Sequence, residues 1–326
     1  MIFKKYNSIE NSYQSMFIDK MKNSPNFKSD VDWVVEEKIH GSNLSLWYDG
    51  KEFKVAKRTG WIVRPERFFS LHRKWDELKE LTIKAYNSLY IDVDYITIYG
   101  EWFGGTFPEL KVNNAKKVQK GIYYTPDNEF MAFDFAIDGK LMPLGMMNIL
   151  QSSGFMTTEQ LFKGTLDKCL EYPNEFPSTI PKRYGLTFPV TDKNICEGVV
   201  IKPVIPMFMG EKRMIIKNKN EKFQEISKRV KREPVKLSDD VVEVINEIEL
   251  YVTDNRFSNV LSKVGISDED LEPNDIGNLL GLFYKDIVED YNKNTDLKYD
   301  KLDKKSAKLV NKHLNRKMVK IMKGRM

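Results

Sequence analysis

A single lysine, Lys38, closes the strand-like part of VVEEKIHGSN, directly after two glutamates and just before His40 and Gly41. A lysine in such a place is either a surface side chain or a nucleophile, and its company decides between them. Five further segments carry groups suited to one kind of chemistry. AKRTG supplies Arg58, YGEWFGG supplies Glu101, FDF supplies Phe133, CEGVVIKP supplies Glu197, and IIKNKN supplies Lys217 and Lys219. Side chains alternate along a strand. In YITIYGE, Ile96 and Ile98 therefore face a core while Thr97, Tyr99 and Glu101 face away from it, and Lys217 and Lys219 share the face opposite Met214 and Ile216. A cleft lined in this way suits a nucleotide. An aromatic ring stacks on a base, lysines and arginine neutralise phosphates, and glutamates hold the hydrated divalent cation that phosphoryl transfer uses. Lys38 is then the nucleophile, and neighbouring cations favour the uncharged amine that attack requires.

The segments that must position these groups read as short strands: VDWVVEEK, NLSLWYD, FKVAKRTG, YITIYGEWFGG, FMAFDFAIDG, CEGVVIKPVI and RMIIKNK, rich in Val, Ile, Phe and Tyr and bounded by Gly, Asp and Asn. Helices are expected over residues 65–89 and 158–170, giving an α+β pattern without a βαβ rhythm. Beyond residue 222 the pattern changes. KRVKREPVKLSDD reads as a charged, proline-containing hinge, and Val241, Val244, Ile245, Ile248 and Val252 follow helical spacing with Ser238 as N-cap. Further helices are expected over 275–291 and 301–322, the last with Leu302, Leu309, Leu314, Met318 and Ile321 on its inner face. The chain thus divides into a domain over 1–234, with antiparallel sheets and flanking helices, and an all-helical domain over 235–326.

Composition sets the outer bounds. Of 326 residues, 41% are hydrophobic and 30% charged, as in a globular protein large enough for two domains. The net charge of +5 names no partner, but residues 298–326 hold 11 Lys/Arg against 2 Asp, which suits a polyanion or a solvated helix face. Two cysteines, Cys169 and Cys196, make no framework, and His40, His72 and His313 are too scattered for a zinc site. With no secretory signal and no apolar run of membrane-spanning length, a cytoplasmic, reducing compartment is expected and a membrane is not.

The six segments, in this order, resemble the motif series of covalent nucleotidyltransferases, the superfamily of ATP-dependent ligases and mRNA capping enzymes. One departure narrows the resemblance. DNA ligases and capping enzymes typically carry aspartate in the third position of the lysine motif, where this chain has His40, followed by Gly41 and Asn43. KIHG-[ST]-N is similar to the RNA ligase 2 family, which seals 3′-OH/5′-phosphate breaks, and FKKYNSIENSY and LYVTDNRFSNVLSKVG resemble its phage branch. The resemblance implies an ATP-grasp-like ligase domain followed by helices rather than an oligonucleotide-binding barrel. It implies attack of Lys38 on the α-phosphate of ATP to give lysyl-AMP, transfer of AMP to an RNA 5′-phosphate, and sealing by the 3′-OH, with Mg²⁺ or Mn²⁺. It further implies roles: Glu37 at the adenine, mainly through its backbone; Phe133 stacked on it; Glu101 on the ribose; and Arg58 on ribose and phosphate. Glu197, with Glu101, is implied at the metal through water, Lys217 and Lys219 at the α-phosphate, and His40 and Asn43 near metal and phosphates. Phe68, Phe69, Lys202, Arg256 and Asp286 are implied at the RNA, one of the two phenylalanines as contact and the other as core. The expected partner is nicked duplex RNA or an RNA/DNA hybrid, with no obligate protein partner. Two alternatives stay open: a capping guanylyltransferase or DNA ligase, and an RNA-binding relative without catalysis.

Overall fold

Alternating apolar residues bring the strands of the first two-thirds of the chain into two sheets, each with one face against helices. The computed structural model describes residues 1–189, 193–224, 239–296 and 298–325. In chain order the strands are β1 (Glu10–Asn11), β2 (Trp33–Glu37), β3 (Ser42–Tyr48), β4 (Phe53–Lys57), β5 (Gly60–Trp61), β6 (Ile96–Gly104), β7 (Asn128–Ile137), β8 (Lys140–Leu141), β9 (Gln160–Gly164), β10 (Gly198–Pro203), β11 (Phe208–Met209), β12 (Lys212–Arg213) and β13 (Ile216–Lys219). The helices are α1 (Ser15–Lys22), α2 (Trp75–Asn87), α3 (Met147–Ser153), α4 (Leu166–Leu170), α5 (Ile180–Arg183), α6 (Asp239–Ile248), α7 (Asp254–Val264), α8 (Ile276–Asn294) and α9 (Lys304–Lys323).

One sheet has the order β1-β13-β10-β2-β9 and the other β5-β4-β3-β6-β7-β8, with β11-β12 as a separate ribbon. Pairing is antiparallel except for β1, which runs parallel to β13. In the six-stranded sheet Leu44, Leu46, Ile96, Ile98, Trp102 and Phe135 are buried in one core with Leu78 and Ala85 of α2 and Met147 and Leu150 of α3. In the five-stranded sheet Trp33, Val35, Val199 and Ile201 are buried with Met21 of α1 and Leu166 and Cys169 of α4. Each buried Leu, Ile, Val, Phe or Met among them contributes roughly 1.5–3 kcal/mol on leaving water. The short link 38–41 joins β2 of one sheet to β3 of the other, so the lysine motif sits where the two sheets meet.

Two helical expectations change. The span 65–89 is 3₁₀ turns at Pro65–Arg67 and Leu71–Lys74 before α2 begins at Trp75. The span 158–170 is not one helix: Gln160–Gly164 is an edge strand on β2, and only Leu166–Leu170 is helical, with the Thr165 side chain accepting from the Lys168 amide at its start. Ladder bonds to β2 override the local helical preference.

Residues 1–222 with 263–265 make one compact unit, and the described residues of 223–262 and 266–325 the other. The boundary expected at 234/235, the hinge before it and the Ser238 cap fall outside the described residues. In the helical unit, Leu279, Phe283, Ile287 and Tyr291 form the buried stripe of α8. In α9 the Asp303 side chain accepts from the amides of Lys305 and Ser306, and Val310, Leu314, Met318 and Met322 are buried at every fourth residue. Leu309, expected on that inner face, is 39% exposed, because the stripe follows the 310–314–318–322 row instead. No helix is long and apolar enough to cross a membrane among the described residues.

Candidate active site

The strand ladders bring the chemistry-bearing residues together. Glu37 of β2 lies opposite Val199 of β10, and Gly198 lies opposite Lys219 of β13. The Lys38 amide donates to the Gly198 carbonyl at 2.9 Å. Lys38 and Lys219 therefore flank Glu197, whose carboxylate is 1% exposed. Oε2 meets Lys38 Nζ at 2.9 Å and His40 Nδ1 at 3.4 Å, and Oε1 meets Lys219 Nζ at 2.8 Å. Burial alone would raise the Glu197 carboxyl, but Lys219, Lys38 and His40 outweigh it and hold the group well below the usual carboxylate range. Two glycines permit this closeness. A Cβ on Gly198 would lie 2.1 Å from the Asn218 carbonyl oxygen, and one on Gly41 would lie 2.3 Å from the Trp102 carbonyl oxygen.

Across the link, Asn43 of β3 pairs directly with Glu101 of β6. Burial pushes the Glu101 carboxyl up to about 8, with Lys38 and Arg58 pulling it down and Glu197 adding to the rise. Arg58 follows β4, and its Nη1 donates to the Tyr6 carbonyl at 3.3 Å. Lys217 stands two residues before Lys219 on β13, opposite Val200. The His40 amide donates to the Tyr124 hydroxyl at 2.9 Å, which fixes the turn behind Lys38.

Beside Lys38 a cavity is lined by Tyr6, Ile9, Glu36, Ile39, Phe133 and Val200, among others. Phe133 thus presents its ring to a pocket that ends at the nucleophile. Glu37 also borders this pocket, and its carboxylate is held by the Ser178 hydroxyl at 2.6 Å and by the Thr179 amide and hydroxyl at 2.7 Å. Along the wall of the pocket, through Tyr6, Glu36 and Lys202, runs a buried ionic network that the motif series does not announce. Lys202 Nζ meets Glu36 at 2.8 Å and donates to the Phe133 carbonyl at 2.6 Å. Arg213 holds Asp134 through Nη1 at 2.6 Å and Nη2 at 3.0 Å, and the Tyr6 hydroxyl donates to the same carboxylate. The signal was present in FMAFDFAI, where an acid inside an apolar strand demands a buried cationic partner.

The five residues implied at the RNA are placed as follows. Lys202 is 1% exposed inside that network, on the wall of the Phe133 pocket. Phe68 and Phe69 are both core, at 3% and 4% exposure, packed edge to face at 5.3 Å, so neither ring is left for RNA. In the helical unit Arg256 is 1% exposed and its guanidinium meets Asp286 at 2.8 Å and Asp290 at 2.9 Å, so it clamps α7 to α8 rather than facing solvent. Asp286 is that clamp's other half.

The donor set fits a nucleotide: an apolar, aromatic pocket opens onto Lys38, with Lys219 across Glu197 from it, Lys217 on the same strand as Lys219, and Arg58 on the carbonyl of the pocket residue Tyr6. It fits a divalent cation only in hydrated form. No three His, Cys, Asp or Glu groups cluster as a metal cage among the described residues, so a cation at Glu197 and Glu101 would keep most of its water and share the phosphates.

Residues 31–219 match the family described as RNA ligase, and residues 235–320 match the one described as T4 RNA ligase 2 C-terminal. The chain is similar to RNA-editing ligase 2, mitochondrial, of Trypanosoma brucei brucei, at 28% identity over 90% of this chain and 84% of that protein. It is also similar to RNA-editing ligase 1, mitochondrial, of the same organism, at 26% identity over 81% and 71%. Among solved structures, a Naegleria gruberi RNA ligase mutant with AMP and Mn superposes with a TM-score of 0.46 at 15% identity, over 68% of this chain. The chain spans 57% of the length of that ligase.

Proposed function

The chain belongs to the RNA ligase family, with a C-terminal part of the T4 RNA ligase 2 type, and from that premise we propose that it uses ATP to seal 3′-OH/5′-phosphate breaks, preferentially nicks in duplex RNA or RNA/DNA hybrids. The observation that carries the reading is the Glu197 carboxylate held between Lys219 and Lys38, the latter also lining the Phe133 pocket. In the resting site Glu197 pairs with the Lys38 ammonium. Lys38 gives up a proton to solvent water before its Nζ attacks the α-phosphorus of ATP. The P–N bond forms, the bond to the β-phosphate oxygen breaks, and pyrophosphate leaves. AMP then passes from Lys38 to an RNA 5′-phosphate, and the 3′-OH attacks that phosphate and expels AMP.

The chain's own residues supply positioning and charge at each transfer. Phe133 stacks on the adenine, the backbone at 37–39 borders its edge, and Glu101 and Arg58 take the ribose. Lys217 and Lys219 neutralise charge on the α-phosphate. A divalent cation bound near Glu197 and Glu101 supplies further neutralisation of the phosphates. His40, between Glu197 and the Tyr124 hydroxyl, keeps the turn after Lys38 in place. Arg256 and Asp286 serve the sealing step by ordering the helical unit. The RNA ligase match over 31–219 favours this reading over a capping enzyme or DNA ligase, and the assembled Lys38–Glu197–Lys219 group favours it over an inactive relative.

The test is sealing of a labelled 5′-phosphate strand, with ATP and Mg²⁺, in a nicked RNA duplex, in a nick whose 3′-OH strand alone is RNA, and as a free single strand. Sealing of both nicks and little of the single strand is expected, with none by Lys38→Ala. Equal sealing of the single strand would overturn the duplex preference.

A further inference from the structure

The N-terminal segment enters the site without any part assigned to it. β1 lies parallel to β13 with Asn11 beside Lys217, the Glu10 amide donates to the Ile215 carbonyl at 3.3 Å, and the Ser12 amide donates to the Lys217 carbonyl at 2.9 Å. The segment is therefore stitched to the strand that carries the two phosphate-side lysines. Upstream of β1, Tyr6 and Ile9 form part of the pocket wall. The Tyr6 ring packs on Phe133 at 5.1 Å and on Tyr99 at 5.0 Å, and its carbonyl accepts from Arg58.

The Tyr6 side chain is fixed at its far end. It is 5% exposed, and its hydroxyl donates to Asp134 while accepting from Arg213 Nη1 at 2.7 Å. That ion pair continues through Asp134 to Lys202 at 3.7 Å, and Lys202 holds the Phe133 carbonyl. Phe133 is thus gripped twice by one network, through its backbone by Lys202 and across its ring by Tyr6. A buried ionic network of this kind costs desolvation that an apolar core would avoid, and it returns fixed geometry. Burial also keeps the Tyr6 phenol neutral, so its proton stays available to Asp134.

We propose that Tyr6 is a positioning residue of the nucleotide site: residues 6–12 are a strap, bolted through the Tyr6 hydroxyl to Asp134 and Arg213, that sets the Phe133 ring and the Arg58 guanidinium for ATP capture. The inference rests on the ATP reading above. A positioning role of this kind acts on nucleotide binding more than on the transfer step, because the Tyr6 ring packs on Phe133 and its hydroxyl is engaged by Asp134 and Arg213.

The experiment measures transfer of label from [α-³²P]ATP onto the full chain as a function of ATP concentration, for wild type, Tyr6→Phe, Tyr6→Ala and the exposed control Tyr90→Ala. Tyr6→Ala, which loses two ring contacts, raises the half-saturating ATP concentration about tenfold or more while the saturated rate stays within about threefold. Tyr6→Phe keeps the ring and loses the bolt, and raises it about two- to fivefold. Tyr90→Ala matches wild type. Tryptophan fluorescence unfolding checks that each variant is folded. Unchanged half-saturation in folded Tyr6→Phe and Tyr6→Ala, with only the unfolding midpoint lowered, overturns the proposal and leaves Tyr6 a core residue. If Tyr6→Ala does not fold, an unchanged half-saturation in Tyr6→Phe alone overturns it. No label on wild type refutes the ATP reading itself, a result distinct from either.

Discussion

Asp134→Asn is the substitution whose consequence can be worked furthest from the structure. Burial raises the Asp134 carboxyl, but Arg213 and Lys202 outweigh it and bring the group to about 2, against an ordinary value of 3.8. The folded state thus binds the carboxylate's proton less readily than the unfolded chain does. Stability from this group is present above pH ~4 and is lost as the pH falls from ~4 through ~2, and at neutral pH it amounts to about 2–3 kcal/mol. The amide keeps the shape and removes the charge. Arg213 and Lys202 are then left buried with Glu36 as the remaining carboxylate of the network. Breaking a buried pair from one side costs about 3–5 kcal/mol, more than the linkage figure, because the orphaned guanidinium adds its own desolvation. All five tryptophans lie between Trp33 and Trp102, so urea unfolding followed by tryptophan fluorescence reports the sheet-bearing unit alone. The Asp134→Asn variant should unfold with a deficit of a few kcal/mol at pH 7, and the deficit should shrink by about 1 kcal/mol at pH 3. A deficit that stays constant between pH 7 and pH 3, or none at pH 7, would refute the assignment of Asp134 as a depressed, charged anchor.

Three further outcomes follow from the site and the clamp. Gly198→Ala places a Cβ 2.1 Å from the Asn218 carbonyl, so it should push β13 from β10 and abolish most AMP uptake by Lys38, while Gly145→Ala, with nothing within 4 Å, should leave uptake at the wild-type level in the same assay. Phe133→Ala should raise the half-saturating ATP concentration about tenfold, and Phe133→Tyr much less, in a labelled-ATP titration. Arg256→Ala leaves Asp286 and Asp290 without their buried partner. It should destabilise the helical unit by about 3–5 kcal/mol, read by circular dichroism, and slow sealing of a pre-adenylylated nick more than it slows AMP uptake.

The strand segments are legible in the sequence because their apolar periodicity matches the faces they bury: Leu44 and Leu46, and Ile96 and Ile98, sit in one core as alternation requires. The candidate site is legible through the order of its motifs, each on or beside a strand. Other features are written in contacts that no local pattern carries. Gln160–Gly164 becomes a strand only because the edge of β2 is there to pair with it. Tyr6 and Asp134 are 128 residues apart, and the partner that makes each buried polar group tolerable is visible only once the chain is folded. For Lys202, Phe68, Phe69 and Arg256, the resemblance implies a place at the RNA, and the burial of all four side chains is set by packing that no local pattern carries. Lys202 faces Glu36 across neighbouring strands, and Phe68 and Phe69 close the core over the six-stranded sheet.

The central claim is that Lys38 takes AMP from ATP. The most direct measurement is the intact mass of the protein after incubation with ATP and Mg²⁺, followed by peptide mapping of any adduct. The account predicts one added AMP on Lys38, absent in Lys38→Ala and removed when pyrophosphate is supplied. A protein that remains unmodified, or that carries AMP on another residue, would contradict it.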